Sequence, residues 1–244
     1  MAILILQHSD VGHSGRLGMT LRDNGFKLDI RRPDLGAHVP TDLKTESHIE
    51  GIIILGGPQN VTDIANYPWM QREVELIKAA HAANLPIVGI CLGHQLIGHA
   101  LGGQVAARDK AAVGFYPAAL TIPAQTETIF SGIAWNSPQF FTCGQEIKQL
   151  PPGATTLASD KTTKVQAIKV GLRTYGFQFH FECDRPMLDA LIASSKPEME
   201  AANTTVSELK VQIDQNYDTY ARLSDRLCVN LASYLFPLTR RQTA

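Results

Sequence analysis

Short runs of consecutive apolar residues, each followed by a stretch that repeats at helical spacing, organise the first hundred positions. Residues 2–7, 51–55 and 87–90 are continuous apolar runs, whereas 26–31 alternates with period two. The first kind fits strands buried on both faces and the second a half-buried strand. Residues 14–24 and 68–83 carry helix-period patterns, closed by Gly25 and Asn84. Strands alternating with helices predict right-handed βαβ units and a parallel sheet. Near residue 104 the texture changes. Shorter strand patterns at 115–122, 139–142, 164–170 and 174–180 predict an antiparallel or mixed extension of the same sheet. Helical patterns follow over 185–193 and 206–235, with 196–205 reading as a linker. The expected fold class is therefore α/β: a mixed, mainly parallel central sheet flanked by helices. A catalytic domain is expected over 1–195, with 196–244 as a helical extension packed on it, since so short a segment is at the lower edge of what folds alone.

Composition narrows the function classes. The 244 residues are 44% hydrophobic and 18% charged, with a formal net charge of −1. That balance gives a sizeable core and no clustered positive charge for nucleic acid or an anionic membrane. No apolar run approaches the ~18 residues of a membrane span. The N-terminal apolar stretch lacks the flanks of a signal peptide and reads as the first strand. The four cysteines, Cys91, Cys143, Cys183 and Cys228, are too widely spaced for a disulfide framework or a zinc site. No metal or cofactor is expected, and the cytoplasm is the expected compartment.

Candidate chemistry begins where the run Ile87–Ile90 stops at Cys91, held between Gly89 and Gly93. A helical pattern starts at once with Leu92. A sharp strand-to-helix turn projects its central side chain clear of the sheet, the geometry of a nucleophile elbow with Cys in place of Ser. The helix start directs N–H groups at the sulfur and favours an anion there. The same pattern alone also fits a buried structural cysteine closing a core strand. A second segment, Phe177 to Glu182, alternates as a strand would. That places His180 and Glu182 on one side, where the carboxylate can orient the imidazole, and Cys183 on the other. A thiol nucleophile needs such a base and such an orienting group. A third, Gly56, Gly57 and Pro58, follows an apolar strand directly. Ligands of open α/β sheets bind outside the carboxyl ends of the strands, so the N–H groups of Gly57 and Leu92 could share an oxyanion.

Together these segments resemble the class I (triad) glutamine amidotransferases. Gly89, Ile90, Cys91, Leu92, Gly93, His94 and Gln95 match that family's nucleophile motif. Residues 177–182 match its His-Pro-Glu motif with Phe181 in place of proline, and Gly56-Gly57-Pro58 matches its oxyanion loop. The nearest relatives by this resemblance are free-standing members similar to the amidotransferase domain of guanosine monophosphate synthetase. The resemblance implies that Cys91 attacks a γ-glutamyl carbonyl, that His180 relays protons, that Glu182 orients His180 and that Gln95 helps hold substrate. It implies a small-molecule γ-glutamyl amide, glutamine or a γ-glutamyl peptide, as substrate. A separate synthetase partner that receives the ammonia is the alternative.

The match weakens at two places. Family members carry a Trp-x-x-His-x-Asp segment that aligns with residues 140–145. Cys143 then stands where the histidine is expected, making it a candidate substrate-side residue, and Gln145 stands near the acid. Ala112 replaces a Glu that commonly precedes Ile-Gly. Both changes fall on the substrate side and leave the Cys–His–Glu set intact.

Overall fold

Strand Ala2–Leu6 and residues 51–54 of strand Ile49–Ile54 bury every residue, as continuous apolar runs must when helices cover both faces of a sheet, and Glu50 is buried with them. The computed structural model describes residues 2–236; Met1 and residues 237–244, the end of the expected 196–244 extension, lie outside the described residues. The chain runs β1 (Ala2–Leu6), α1 (Gly15–Asp23), β2 (Lys27–Arg31), β3 (Ile49–Ile54), α2 (Pro68–Ala82), β4 (Ile87–Ile90) and α3 (Leu92–Ala100). It continues through β5 (Gln104–Leu120), a single turn α4 (Ile122–Gln125), β6 (Asn136–Gln149), β7 (Ala154–Ser159), β8 (Ala167–Val170) and β9 (Thr174–Phe177). Helices α5 (Arg185–Ser194), α6 (Lys196–Ala202) and α7 (Val206–Asn230) complete it.

The described residues form one nine-stranded sheet in the order β2-β1-β3-β4-β9-β8-β7-β5-β6. Pairs from β2 through β9 are parallel, and those from β9 to β6 are antiparallel. Alternate side chains split the core into two layers. Ile3, Ile5 and Ile53 join Leu17 and Leu21 of α1 and Leu227 of α7. Leu4, Leu6 and Ile54 join Val74 and Ile77 of α2 and Leu96 of α3. The parallel strands thus end together on one edge, which is where the site lies. Among the described residues no helix is long and apolar enough to cross a membrane.

The structure departs from the sequence expectation in four places. Strand β9 stops at Phe177 instead of running to His180. Its neighbour β4 turns away at Cys91, and the His180 N–H donates instead to the Phe140 carbonyl of β6, 2.8 Å away. His180 and Glu182 therefore stand on an irregular segment past the strand. The expected linker holds α6. Pro197 sits in its first turn, where no N–H is missed, and Met199 and Ala202 bury beside Leu191 and Leu209. Strands β5 and β6 are longer than expected, because the outer half of β5 is largely exposed and that of β6 alternates buried with exposed residues, so neither carries an apolar run. Strand β7, unmarked by hydrophobicity, pairs with β8 through Thr155 and Thr156.

Candidate active site

Cys91 occupies a backbone conformation few side-chain-bearing residues adopt, φ 51° and ψ −102°. Such strain persists only where the surroundings hold it. Its N–H donates to the Phe177 carbonyl at 2.8 Å, and its carbonyl accepts from the Gln95 N–H at 3.1 Å. The flanking glycines are required by contact. A Cβ on Gly93 would lie 2.0 Å from the Ile54 carbonyl oxygen, and one on Gly89 would lie 2.5 Å from Gly93 backbone atoms. Helix α3 thus starts directly against the ends of β3 and β4, with the thiol at the edge of the sheet. That thiol donates to the Thr142 carbonyl at 3.7 Å.

His180 and Glu182 meet as expected, although not on a strand. His180 Nδ1 lies 2.7 Å from Glu182 Oε1, and both side chains are buried. Nε2 is buried without a hydrogen-bond partner, and His180 lines the cavity that Cys91 also lines. Burial alone would lower the His180 pKa, but the adjacent Glu182 and Cys91 outweigh it and hold it well above the ordinary histidine value. Phe177, Phe179 and Phe181 pack ring to ring on the opposite side, with centroids 5.0–6.4 Å apart. The alternation seen in the sequence therefore survives past the end of the ladder. Cys183 breaks it. Its thiol donates to Glu182 Oε1 at 3.7 Å instead of facing away, because the chain has by then turned into the N-cap of α5.

The backbone of this segment is held from two sides. The Arg16 N–H of α1 donates to the Glu182 carbonyl at 2.8 Å. The Tyr220 hydroxyl of α7 donates to the His180 carbonyl at 2.5 Å and reaches the Cys183 carbonyl at 3.1 Å.

The glycine loop closes the site. A Cβ on Gly56 would fall 2.8 Å from His180 Cε1 and 3.4 Å from Cys91 Cβ, so this loop backbone touches both residues. The same construction on Gly57 meets Leu92 Cδ2 at 3.0 Å, which makes Gly57 and Leu92 neighbours. Cys91, His180, Gly56 and Gly57 share a cavity of about 170 Å³.

The two expected substrate-side residues lie elsewhere. Gln95 is buried, and its amide nitrogen donates to the Gln145 carbonyl at 3.0 Å and to Gln178 Oε1 at 3.2 Å. Cys143 is buried on β6, and burial pushes its thiol up to about 12. Neither lines the cavity.

Several residues at the site escaped the sequence reading. Ser9, Thr142, Ser195 and Glu198 line the cavity. Ser9 follows β1, so the strand-end rule that marked Gly57 and Cys91 could have found it. Glu198 had no such signal, because its helix read as a linker. His8 lies beneath the loop, and a Cβ on Gly57 would sit 2.7 Å from its Cβ. Its Nε2 is 2.9 Å from Glu73 Oε1 and its Nδ1 is 3.2 Å from the Leu55 carbonyl. Both partners only accept, so both ring nitrogens carry protons when both bonds form. Burial opposes that charge, but Glu73 and nearby backbone raise the His8 pKa overall.

Among the described residues, one set of potential metal ligands is close enough to converge: His180, Glu182 and Cys183, with ligand atoms within 4.8 Å. Burial pushes the Cys183 thiol up to about 12. The set is the His–Glu pair itself and not a separate centre.

Comparison with known proteins gives the family and the fold. The family model "Glutamine amidotransferase class-I" matches residues 10–190. The glutamine amidotransferase-like protein YfeJ of Salmonella typhimurium is 28% identical over 208 residues, 83% of this chain and 84% of its own length. A subunit of the glutamine-hydrolyzing GMP synthase of Methanothermobacter thermautotrophicus is 31% identical over 183 residues, 75% of this chain and 88% of its own. Among solved structures, a glutamine amidotransferase from Thermotoga maritima superposes with a TM-score of 0.82 at 20% identity, covering 96% of this chain and 98% of that one. One from Methylobacillus flagellatus gives a TM-score of 0.80 at 25% identity, covering 94% and 93%.

Proposed function

The chain belongs to the class-I glutamine amidotransferase family, and from that premise we propose that it is a cysteine amidase that hydrolyses a γ-glutamyl amide through a Cys91–His180–Glu182 triad. The observation that carries this reading is the shared cavity of the strained elbow at Cys91 and the buried, unpartnered Nε2 of His180. In the proposed reaction His180 Nε2 already holds the proton given up by Cys91, and the thiolate attacks the γ-carbonyl. Glu182 holds the imidazole through Nδ1 and stabilises the imidazolium. The carbonyl oxygen, now an oxyanion, is met by the N–H groups of Gly57 and Leu92, each such donor contributing on the order of 3 kcal/mol. Collapse breaks the C–N bond, and the departing nitrogen takes the proton from His180. Water, deprotonated by the same imidazole, then cleaves the γ-glutamyl thioester and regenerates the thiol.

The domain reading accompanies this one. Residues 1–195 supply the triad, and 196–244 form an extension whose Tyr220 and Glu198 reach the site. We assign the reaction to the cytoplasm, whose reducing conditions suit four free thiols.

Glutaminase and γ-glutamyl-peptide assays on the pure chain test the proposal, with Cys91→Ser as control. Wild type is expected to turn over at least one such amide and to yield a thioester adduct in the mass spectrum. Equal turnover by the two proteins would overturn it. A second reading follows from the relative that is one subunit of a GMP synthase. In it the chain hydrolyses glutamine and passes ammonia to a separate synthetase chain. Turnover that appears only when such a synthetase is supplied would favour this reading.

A further inference from the structure

The charge inside the cavity is one-sided. Apart from Cys91 and His180, whose charge is already matched by Glu182, the only ionisable side chain among the described residues lining it is Glu198. Among the described residues no lysine or arginine lines it. Glu198 is half-buried and, among the described residues, makes no ion pair or hydrogen bond with a side chain. Its placement is fixed from Cys91 outward. The Thr142 hydroxyl, on the residue whose carbonyl receives the Cys91 thiol, donates to Ser195 Oγ at 2.9 Å. Ser195 is the N-cap of α6, and Glu198 stands three residues further on the same helical face. Met199, beside it, is buried in the core and holds the helix down. Glu198 is thus held in the wall of the cavity that the glycine loop also lines.

A half-buried carboxylate facing a cavity with no cation of its own is complementary to a cation on the ligand. It is repulsive to a ligand whose nearest group is a carboxylate. We propose that Glu198 is a specificity residue that selects substrates bearing a free ammonium group. Two positions on the substrate offer one: the α-ammonium of the γ-glutamyl half, and an ammonium at the far end of the departing amine. This inference rests on the amidase reading for its substrate class. It extends that reading by making the acidic wall, contributed by α6, the feature that separates one γ-glutamyl amide from another.

Four matched probes separate the sources: γ-glutamyl butylamide (α-ammonium alone), glutaryl 4-aminobutylamide (amine-side ammonium alone), γ-glutamyl 4-aminobutylamide (both) and glutaryl butylamide (neither). Each is measured as turnover by the full chain and as a dissociation constant in Cys91→Ala, with and without Glu198→Gln. We expect Glu198→Gln to keep the wild-type melting temperature. It should weaken binding and kcat/KM roughly tenfold for probes with the recognised ammonium, and leave glutaryl butylamide unchanged. Loss confined to the γ-glutamyl pair assigns the α-ammonium; loss confined to the aminobutyl pair assigns the departing amine. Equal effects on all four probes, or none on any, would overturn the ammonium site while leaving the amidase reading intact. Ammonium-dependent binding to Cys91→Ala, weakened by Glu198→Gln and unaccompanied by turnover in wild type, would uphold the ammonium site and overturn the amidase reading alone.

Discussion

Ala112 and Cys143 stand directly opposite each other across the β5–β6 ladder. They are two of the positions at which the sequence leaves the pattern it resembles, where a glutamate and a histidine are usual. Their pairing makes the two departures one event. A methyl group faces a thiol, and both residues are buried, at 3% and 4% exposure. The small pair packs with Phe141 and Leu157 in one continuous apolar cluster. Neither a carboxylate nor an imidazole could be placed there alone without leaving a buried polar group unpaired.

The first prediction concerns that pair. Cys143→Ala should leave kcat/KM near the wild-type value, because the thiol lies outside the cavity and burial keeps it neutral. Cys143→His should cost about 1–3 kcal/mol by overpacking, seen as a lower urea midpoint at unchanged slope. Collapse of turnover in Cys143→Ala would instead assign the thiol to substrate.

A second prediction tests the elbow. Gly93→Ala would put a methyl carbon 2.0 Å from the Ile54 carbonyl oxygen, which is rigid sheet backbone. The cost should be on the order of 3 kcal/mol, with a matching fall in the thermal midpoint by circular dichroism. Gly144→Ala is the control, since nothing lies within 4 Å of its added carbon. A Gly93→Ala protein as stable as this control would mean that α3 is not seated against β3.

What the sequence reveals depends on which force shapes each element. Burial on both faces writes itself as unbroken apolar runs, so β1, β3 and β4 are legible, and Cys91 with them. The pairing of His180 with Glu182 is legible from period two, because Phe177, Phe179 and Phe181 claim the other side. Elements made by hydrogen bonding between exposed strands leave no such trace. The outer halves of β5 and β6 pair through Ala106, Ala107 and Gln145, and β7 pairs through threonines. Helix α6 is hidden for a different reason. Its stretch is short and begins with Lys196 and Pro197, and its burial against Leu191 and Leu209 is tertiary. Glu198 was therefore out of reach until that helix was placed. The end of β9 at Phe177 was likewise decided from outside the segment, by Phe140, Arg16 and Tyr220.

A third prediction follows from the charge on His8. Its pKa is raised above the unfolded value near 6.5. Such a group contributes stability that is fully present below about pH 6.5 and is lost as pH rises through the higher folded value. Glu73→Gln removes the carboxylate that sustains it. The stability gap between wild type and Glu73→Gln should be about 3 kcal/mol at pH 6 and should narrow toward pH 9. Urea titrations across that range measure it. A gap that widens with pH would mean that His8 is neutral in the fold.

The last prediction joins the C-terminal helix to the proposed chemistry. Tyr220 is fully buried, and its hydroxyl supplies hydrogen bonds to the carbonyls of His180 and Cys183, which bracket Glu182. Tyr220→Phe removes that donor, keeps the ring packed on Phe115, and leaves the His180 carbonyl without a partner, while the Cys183 carbonyl keeps Arg16 Nε at 3.1 Å. The stability cost should be about 1–3 kcal/mol. If α7 positions the His–Glu segment and does more than cover it, kcat should fall while KM stays nearly fixed, because Tyr220 does not line the cavity. An equal loss of stability from a variant in the opposite core layer, such as Val74→Ala in α2, should leave kcat unchanged in the folded fraction. Parallel falls in both variants would reduce Tyr220 to a core residue; a fall in Tyr220→Phe alone makes the C-terminal helix part of how the triad is aligned.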